Sequence, residues 1–166
     1  MSSANKNLSK YNKSDITSAE DMMFGIVVSE WNNEVTDNLY KGAFDTLLQH
    51  GAKEENIITR YVPGSFELPM ASQFILENTD VDAVICLGCV IQGETRHFEF
   101  ICNAVSQGIK DVSLKYNTPV IFGLLTTDNQ QQAKDRSGGK HGNKGIEAAA
   151  TAIRMIELGD SLVIGK

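Results

Sequence analysis

Short, continuous apolar runs alternate along this chain with longer segments in which apolar residues recur every three to four positions. A continuous apolar run is typical of a strand buried on both faces, and the longer period is typical of an amphipathic helix. The predicted strands are 24–28, 57–62, 81–87 and 120–125, and the predicted helices lie near 35–47, 66–76, 98–112, 130–134 and 146–153. This alternation predicts a three-layer α/β/α sandwich around a central four-stranded parallel sheet.

The connection between the third predicted strand and the next helix, Gly88–Phe98, carries two glycines and a histidine. A strand that turns over glycines into a helix presents free backbone N–H groups at the positive end of the helix dipole, which suits phosphate. His97 falls in the first helical turn beside those donors. The segment therefore predicts a phosphate pocket next to a proton carrier, although taken alone it fits an ordinary strand-to-helix connection with a surface histidine better.

The residues that follow the predicted strands are expected to meet at one edge of the sheet, because parallel sheets bind ligands beyond the carboxyl ends of their strands. The segments that leave those ends are 29–32, 64–67, 88–97 and 126–128. Trp31, in the first of them, is as well suited to stack on a planar ligand as to complete the edge of the core. Glu67 lies between two apolar residues, where a carboxylate is costly unless something pairs with it.

The chain has 166 residues, 42% of them hydrophobic and 22% charged, which is the size and composition of one domain with a substantial core. Residues 1–20 are rich in Ser, Asn and Lys and lack an apolar period, so they are predicted to form a flexible N-terminal arm, or an arm that only a neighbour orders. The predicted domain is 21–160, and 161–166 form a tail. The net charge of −6 argues against nucleic acid as a partner.

A basic cluster interrupts this acidic chain. It contains Lys134, Arg136, Lys140, His141 and Lys144 within eleven residues. Most charge runs are solvated loops, but the glycines of this segment allow it to conform to a ligand. The cluster therefore favours a site for an anionic small molecule.

The three cysteines, Cys86, Cys89 and Cys102, lie in or beside apolar runs and have no paired spacing. This arrangement predicts neither a disulfide framework nor a metal site, and buried reduced thiols are consistent with the cytoplasm. No signal peptide and no apolar run of membrane-spanning length are recognised, so we expect a soluble cytoplasmic protein without a membrane partner.

Three separated segments, Pro63–Pro69, Gly88–Phe98 and Arg136–Gly145, resemble in order and spacing the motifs of the 6,7-dimethyl-8-ribityllumazine synthase family. The resemblance extends from about Met23 to Leu158 and implies the flavodoxin-like fold of that family. It also implies the penultimate reaction of riboflavin biosynthesis. In that reaction 5-amino-6-(D-ribitylamino)uracil and 3,4-dihydroxy-2-butanone 4-phosphate condense to 6,7-dimethyl-8-ribityllumazine, phosphate and water. No metal or redox cofactor is expected.

The resemblance implies roles for individual residues. His97 matches the proton donor of the family, and Glu147 matches the acidic residue that orients this histidine. The residues implied for the ribitylaminouracil substrate are Trp31, Ser65, Phe66, Glu67, Cys89, Val90, Ile91 and Phe122. The residues implied for the phosphate group are Glu94, Thr95, Arg136 and Lys144. The apolar pattern alone would place the two phenylalanines in the core, and the two cations could equally be surface charges.

Two other functions of this fold class are disfavoured by the residues after the first and third strands. A flavodoxin-like FMN carrier needs a Ser/Thr-rich loop where this chain has Glu30, Trp31 and Glu34. A two-component receiver needs an aspartate where Gly88 and Cys89 stand. A non-catalytic flavin-binding, lumazine-binding or shell-forming protein of the same fold remains open as an alternative.

The resemblance also implies assembly with further copies of the chain. It implies a homo-oligomer that is either a pentamer or a sixty-subunit icosahedral shell. The segment Gly139–Lys144 lacks the short insertion that pentameric relatives often carry between the last two helices, which favours the shell. Riboflavin synthase is a candidate partner.

Overall fold

The computed structural model describes residues 9–12 and 16–162. Four parallel strands form its central sheet: β1 Phe24–Ser29, β2 Ile57–Val62, β3 Ala83–Ile91 and β4 Val120–Thr127. Their spatial order is β2-β1-β3-β4. The helices are α1 Asn33–Gln49, α2 Leu68–Asn78, α3 His97–Tyr116, α4 Gln130–Arg136 and α5 Lys144–Leu162. The predicted α/β/α architecture with a four-stranded parallel sheet is confirmed.

Both faces of the sheet are covered by helices. In β1, Phe24, Ile26 and Val28 pack in a core that includes α1 and α5, whereas Val27 packs in a second core with α2 and α3. Successive strand side chains point to opposite faces, so each strand contributes to both cores. Because neither face meets water, these strands are apolar at nearly every position, which explains the continuous runs in the sequence.

The third strand is longer than predicted. Gly88 is predicted to begin a turn, but it lies inside β3 opposite Leu124, and the β3–β4 pairing continues to Ile91 and Thr127. A Cβ atom on Gly88 would lie 2.6 Å from Leu124 Cδ1 and 2.8 Å from Ser65 Oγ. This glycine is therefore required by side-chain packing and not by a turn, and the prediction of a turn at Gly88 is wrong.

The helix after β2 begins two residues later than predicted. A single 3₁₀ turn, Ser65–Glu67, precedes α2, which begins at Leu68. Pro69 lies in the first turn of α2, where its missing backbone N–H leaves no helical hydrogen bond unmade. The 3₁₀ turn carries Phe66 and Glu67 to the surface, where both are exposed.

The glycine-rich segment after α4 forms a small antiparallel hairpin of β5 Ser137–Gly139 and β6 Gly142–Asn143. The buried side chain of Asn143 anchors this hairpin. Its Nδ2 donates to the Asn38 carbonyl oxygen of α1 at 2.8 Å, and its Oδ1 accepts from the Gly145 N–H of α5 at 2.8 Å. The hairpin and the basic residues around it are thereby fixed to two helices.

Both chain ends extend beyond the described part of the molecule. Residues 1–8 and 13–15 of the predicted arm and residues 163–166 of the predicted tail lie outside it. Ser9 Oγ donates to the Asn143 carbonyl oxygen at 3.0 Å, and Ala19 is fully buried. The division into arm, domain and tail stays a prediction. None of the helices within residues 16–162 has the length and hydropathy that a membrane span requires.

Helix α5 approaches the backbone of α1 closely at Gly145. A Cβ atom there would lie 1.9 Å from the Leu39 carbonyl oxygen and 3.0 Å from Asn143 Oδ1. A backbone atom cannot rotate away as a side chain can, so a methyl group at this position would force the two helices apart.

We therefore predict that Gly145→Ala lowers the free energy of unfolding by about 3 kcal/mol, at the upper end of overpacking costs. The matched control is Gly159→Ala in the same helix, because Gly159 is exposed and a Cβ atom there would meet nothing within 4 Å. We expect that control to gain about 0.5–1 kcal/mol from the lower conformational entropy of the unfolded chain. Urea unfolding followed by circular dichroism measures both values. Equal midpoints for Gly145→Ala and the parent chain would contradict the predicted clash.

Candidate active site

A cleft of about 580 Å³ opens at the carboxyl ends of the strands. It lies between the β1–α1 connection, the 3₁₀ turn before α2, the end of β3 and the first turns of α3. The predicted site residues that line it are Trp31, Ser65, Phe66, Glu67, Cys89, Val90, Ile91 and His97. The structure thus places one group of the predicted residues together, at the edge of the sheet where the topology leads ligands to bind.

The cleft exists because neighbouring strands end at different levels. The pairing of β1 with β3 ends at Val28 and Leu87, whereas β3 continues beside β4 to Ile91. The last residues of β3 therefore project past β1 and form one wall of the cleft. The connection after β1 folds over the resulting step and forms the facing wall.

Two aromatic side chains stand at the mouth of this cleft. Trp31 is 72% exposed and Phe66 is 57% exposed, so neither belongs to the core. Large aromatic groups on a surface are costly to hydrate, and where they flank a cleft they are typical of a binding site for a planar ligand. The apolar pattern alone misplaced Phe66 because it does not show the 3₁₀ turn that turns this residue outwards.

The two polar residues of the same turn differ in their surroundings. Glu67 is exposed at the rim of the cleft, so the predicted cost of a buried charge between apolar neighbours does not arise. Ser65 is buried, and within the described part of the chain its Oγ has no hydrogen-bond partner. An unsatisfied buried hydroxyl beside a cleft is a polar group that a ligand can satisfy.

His97 is the first residue of α3 and is exposed at the cleft. Arg96, at the N-cap position, makes no side-chain capping hydrogen bond. The His97 N–H instead donates to Thr95 Oγ1 at 3.4 Å, and the Glu99 N–H donates to the Arg96 carbonyl oxygen at 3.1 Å. The first turn of α3 lies at the positive end of the helix dipole, which favours negative charge nearby. Glu94 and Thr95 are exposed in the turn before this helix and do not line the cleft itself.

The thiol of Cys89 is buried at the base of the cleft. Burial raises the pKa of this thiol to about 12, and it raises the pKa of Cys86 to about 12 as well. A thiol with such a pKa carries almost no thiolate at neutral pH. Cys89 is therefore unsuited to act as a nucleophile, and its contribution to the cleft is its shape and its backbone.

The remaining predicted residues form a second group in a different place. Phe122, Lys144 and Glu147 line a separate cleft of about 580 Å³ between β4 and α5. Arg136 belongs to this group because its Nη1 lies 2.8 Å from Glu147 Oε1. None of these four residues lines the cleft that holds His97.

Glu147 binds two cations in this second group. Besides Arg136 it contacts Lys144, whose Nζ lies 3.3 Å from Glu147 Oε2. The contact of Arg136 with Glu147 is an ion pair, and Arg136 Nη1 donates a hydrogen bond to the His141 carbonyl oxygen at 2.8 Å. All three charged side chains are mostly buried, and Glu147 is only 13% exposed. Two cations around one carboxylate leave one positive charge in a partly desolvated position, which suits an anion. Within one chain, therefore, Glu147 orients Arg136 and Lys144, and it does not share a cleft with His97.

Comparison with known proteins identifies the family. Residues 21–160 match the sequence pattern of 6,7-dimethyl-8-ribityllumazine synthase. The chain belongs to this family. The 6,7-dimethyl-8-ribityllumazine synthase of Cytophaga hutchinsonii is 62% identical over 156 residues, which cover 94% of this chain and 98% of that protein. The protein of the same name from Flavobacterium johnsoniae is 55% identical over 93% of this chain and 82% of that protein. The one from Parabacteroides distasonis is 51% identical over 94% of this chain and 98% of that protein. The resemblance noted in the sequence is confirmed.

The sequence did not single out Asn32, which lines the cleft beside Trp31. Its Nδ2 donates to the Cys89 carbonyl oxygen at 2.9 Å, across 57 positions of sequence. Asn32 also has a left-handed backbone conformation, with φ 63°. An asparagine shortly after a strand is a known signal for such a turn, but its long-range partner has no signal in the sequence.

Proposed function

We propose that this chain condenses 5-amino-6-(D-ribitylamino)uracil with 3,4-dihydroxy-2-butanone 4-phosphate to 6,7-dimethyl-8-ribityllumazine, phosphate and water. The observation that carries the proposal is family membership over residues 21–160, together with a cleft that combines exposed aromatic rings, a carboxylate and a histidine. The non-catalytic alternative is disfavoured because relatives that cover nearly the whole chain are named synthases. Free thiols at Cys86, Cys89 and Cys102 support a reducing compartment, so we place the reaction in the cytoplasm.

The reaction joins an amine to a ketone with loss of water, eliminates phosphate, and closes a ring as the second amine adds to a carbonyl and a second water leaves. Each of these steps moves protons around carbonyl chemistry, so the main task of the protein is to hold two substrates in register. In this proposal Trp31 and Phe66 frame the planar uracil ring, and Glu67 accepts hydrogen bonds from ribityl hydroxyl groups. Val90 and Ile91 contact the ring through their backbone, and His97 carries protons.

The phosphate group of the second substrate requires positive charge. We infer that it binds between the first turn of α3, at the positive end of the helix dipole beside Thr95, and the Arg136 guanidinium of a neighbouring copy, with that copy's Lys144 beside it. In this arrangement Glu147 holds both cations in place before the substrate arrives. The side-chain ordering of Arg136 is then completed during folding and not during binding.

The separation of the two groups of residues supports a site shared between subunits. Arg136 and Phe122 lie apart from the cleft of their own chain, so in this proposal they complete the cleft of a neighbouring copy. Exposed apolar residues support assembly, since Phe100 is 70% exposed and Leu114 is 73% exposed. We propose a homo-oligomer that is a pentamer or an icosahedral shell of pentamers, whose product riboflavin synthase would consume.

The test of the activity is to mix the purified protein with both substrates. We expect the lumazine product, followed by its fluorescence, and inorganic phosphate to form in equal molar amounts. Their rate of formation should be proportional to the protein concentration. Each substrate alone, and a protein-free mixture of the two, serve as controls. Binding of both substrates without any increase in rate over the protein-free mixture would favour the non-catalytic alternative.

Two substitutions distinguish the proposed phosphate-binding role of Arg136 from the proposed proton-transfer role of His97. Arg136→Ala removes a charge-assisted contact worth roughly 1.5–3 kcal/mol, so we expect about tenfold to hundredfold weaker binding of the phosphorylated substrate. Binding of the ribitylaminouracil, which carries no phosphate, should barely change. His97→Ala should instead lower turnover, by up to about a hundredfold, because positioning of the substrates survives. Steady-state constants for each substrate measure both effects, and an equal loss of both affinities in Arg136→Ala would show that its role is not phosphate binding.

A shared site also predicts complementation between variants. When Arg136→Ala and His97→Ala chains are co-expressed, about a quarter of the interfaces in a mixed ring combine an intact His97 with an intact neighbouring Arg136. We expect activity at low phosphorylated-substrate concentration to exceed that of either variant alone. Light scattering on the same sample gives the assembly size. An active monomer or dimer, or a mixture no more active than its components, would refute the shared site.

A further inference from the structure

The edge of β3 that faces β1 extends past its strand partner. The pairing of the two strands ends at Val28 and Leu87, and β3 continues to Ile91. The backbone groups of this extension have no residue of β1 opposite them. Asn32 takes the place of the missing strand, because its Nδ2 donates to the Cys89 carbonyl oxygen at 2.9 Å.

The backbone of Asn32 makes this contact possible. Its left-handed conformation, φ 63° and ψ 44°, turns the chain sharply after β1, and asparagine tolerates that region better than most residues. Its carbonyl oxygen accepts from the Val35 N–H at 2.8 Å and the Thr36 N–H at 3.1 Å, which begins α1. Its side chain makes no capping hydrogen bond to α1. The amide is therefore used for the link to β3.

The connection that contains Asn32 is tied on its other side to the end of β2. The Glu30 N–H donates to the Val62 carbonyl oxygen at 2.8 Å, and the Trp31 N–H donates to the Pro63 carbonyl oxygen at 3.2 Å. The backbone of Trp31 is thus attached to the end of β2 on one side and, through the next residue Asn32, to β3 on the other. Because its indole is largely exposed, its position is set mainly by the backbone that carries it.

We propose that Asn32 is a positioning residue for the condensation, an inference that rests on the proposed function. Its amide link to Cys89 fixes the distance between Trp31 and the wall formed by Val90 and Ile91. It also satisfies the Cys89 carbonyl oxygen, so that this acceptor does not compete for the polar edge of the uracil ring. Asn32 therefore sets the width of the slot for the ring-bearing substrate and leaves the phosphate half of the site unaffected.

Asn32→Asp tests the link without removing the side chain. The carboxylate has the same shape but cannot donate, and it repels the carbonyl oxygen that it faces. The added negative charge lies at the N-terminus of α1, where the helix dipole favours it, so we expect the variant to fold. Asn33→Asp is the matched control, because Asn33 is the exposed next residue, does not line the cleft and receives the same charge at the same helix end.

Trp31 is the only tryptophan of the chain, so its fluorescence reports both on its own mobility and on binding of the ribitylaminouracil. In the ligand-free oligomer, we expect the fluorescence anisotropy of Trp31 to decay with a larger nanosecond component in Asn32→Asp than in Asn33→Asp or the parent chain. In titrations of the ribitylaminouracil followed by tryptophan quenching, we expect roughly threefold to tenfold weaker binding, the loss of one hydrogen bond. The KM for the butanone phosphate should stay within about twofold in the same variant.

The outcomes separate the positioning role from the proposed function. Unchanged anisotropy and unchanged affinity in Asn32→Asp would overturn the positioning role while leaving the activity intact. Equal losses for both substrates would overturn it too, since they indicate general damage to the site. If the parent chain neither binds the ribitylaminouracil nor catalyses the reaction, the proposed function fails, and the ligand-free anisotropy still decides whether Asn32 holds Trp31.

Discussion

The unequal ends of the parallel strands are the constraint on which the rest of the candidate site depends. β1 stops at Ser29, whereas β3 and β4 support each other as far as Ile91 and Thr127. Strands that ended at one level would present a flat edge to solvent. The step between β1 and β3 instead gives the cleft a backbone wall, and it places the connection after β1 opposite that wall.

The part of β3 that begins this step is closely packed at one glycine. Gly88 lies inside β3 with Leu124 and Ser65 packed over it, and a Cβ atom there would collide with both side chains. A larger residue would press on the side chain of Ser65, which begins the 3₁₀ turn that carries Phe66 and Glu67. Packing inside the sheet therefore affects the shape of the cleft, because Ser65 contacts Gly88 and also lines the cleft.

The second group of residues follows from the cost of removing charge from water. Arg136 and Lys144 are mostly buried, and Glu147 offsets one of their two charges. The neutral amide of Asn143 fixes the adjacent hairpin to α1 and α5, so the backbone near Arg136 and Lys144 is anchored to two helices. A fold alone does not assign an activity, and here the activity follows from family membership over residues 21–160.

The apolar pattern of the sequence was enough to predict the four strands, the helices between them and the edge at which Trp31 and His97 lie. These features follow from local periodicity and from the rule that parallel strands share a direction. The turn at Gly88 and the burial of Glu67 were misjudged from the sequence, and Asn32 was missed. The packing around Gly88, the exposure of Glu67, the partners of Glu147 and the link from Asn32 to Cys89 depend on strand register, on side-chain volume and on groups far apart in the chain. A one-dimensional pattern does not contain those quantities, because each exists only once distant segments have packed together.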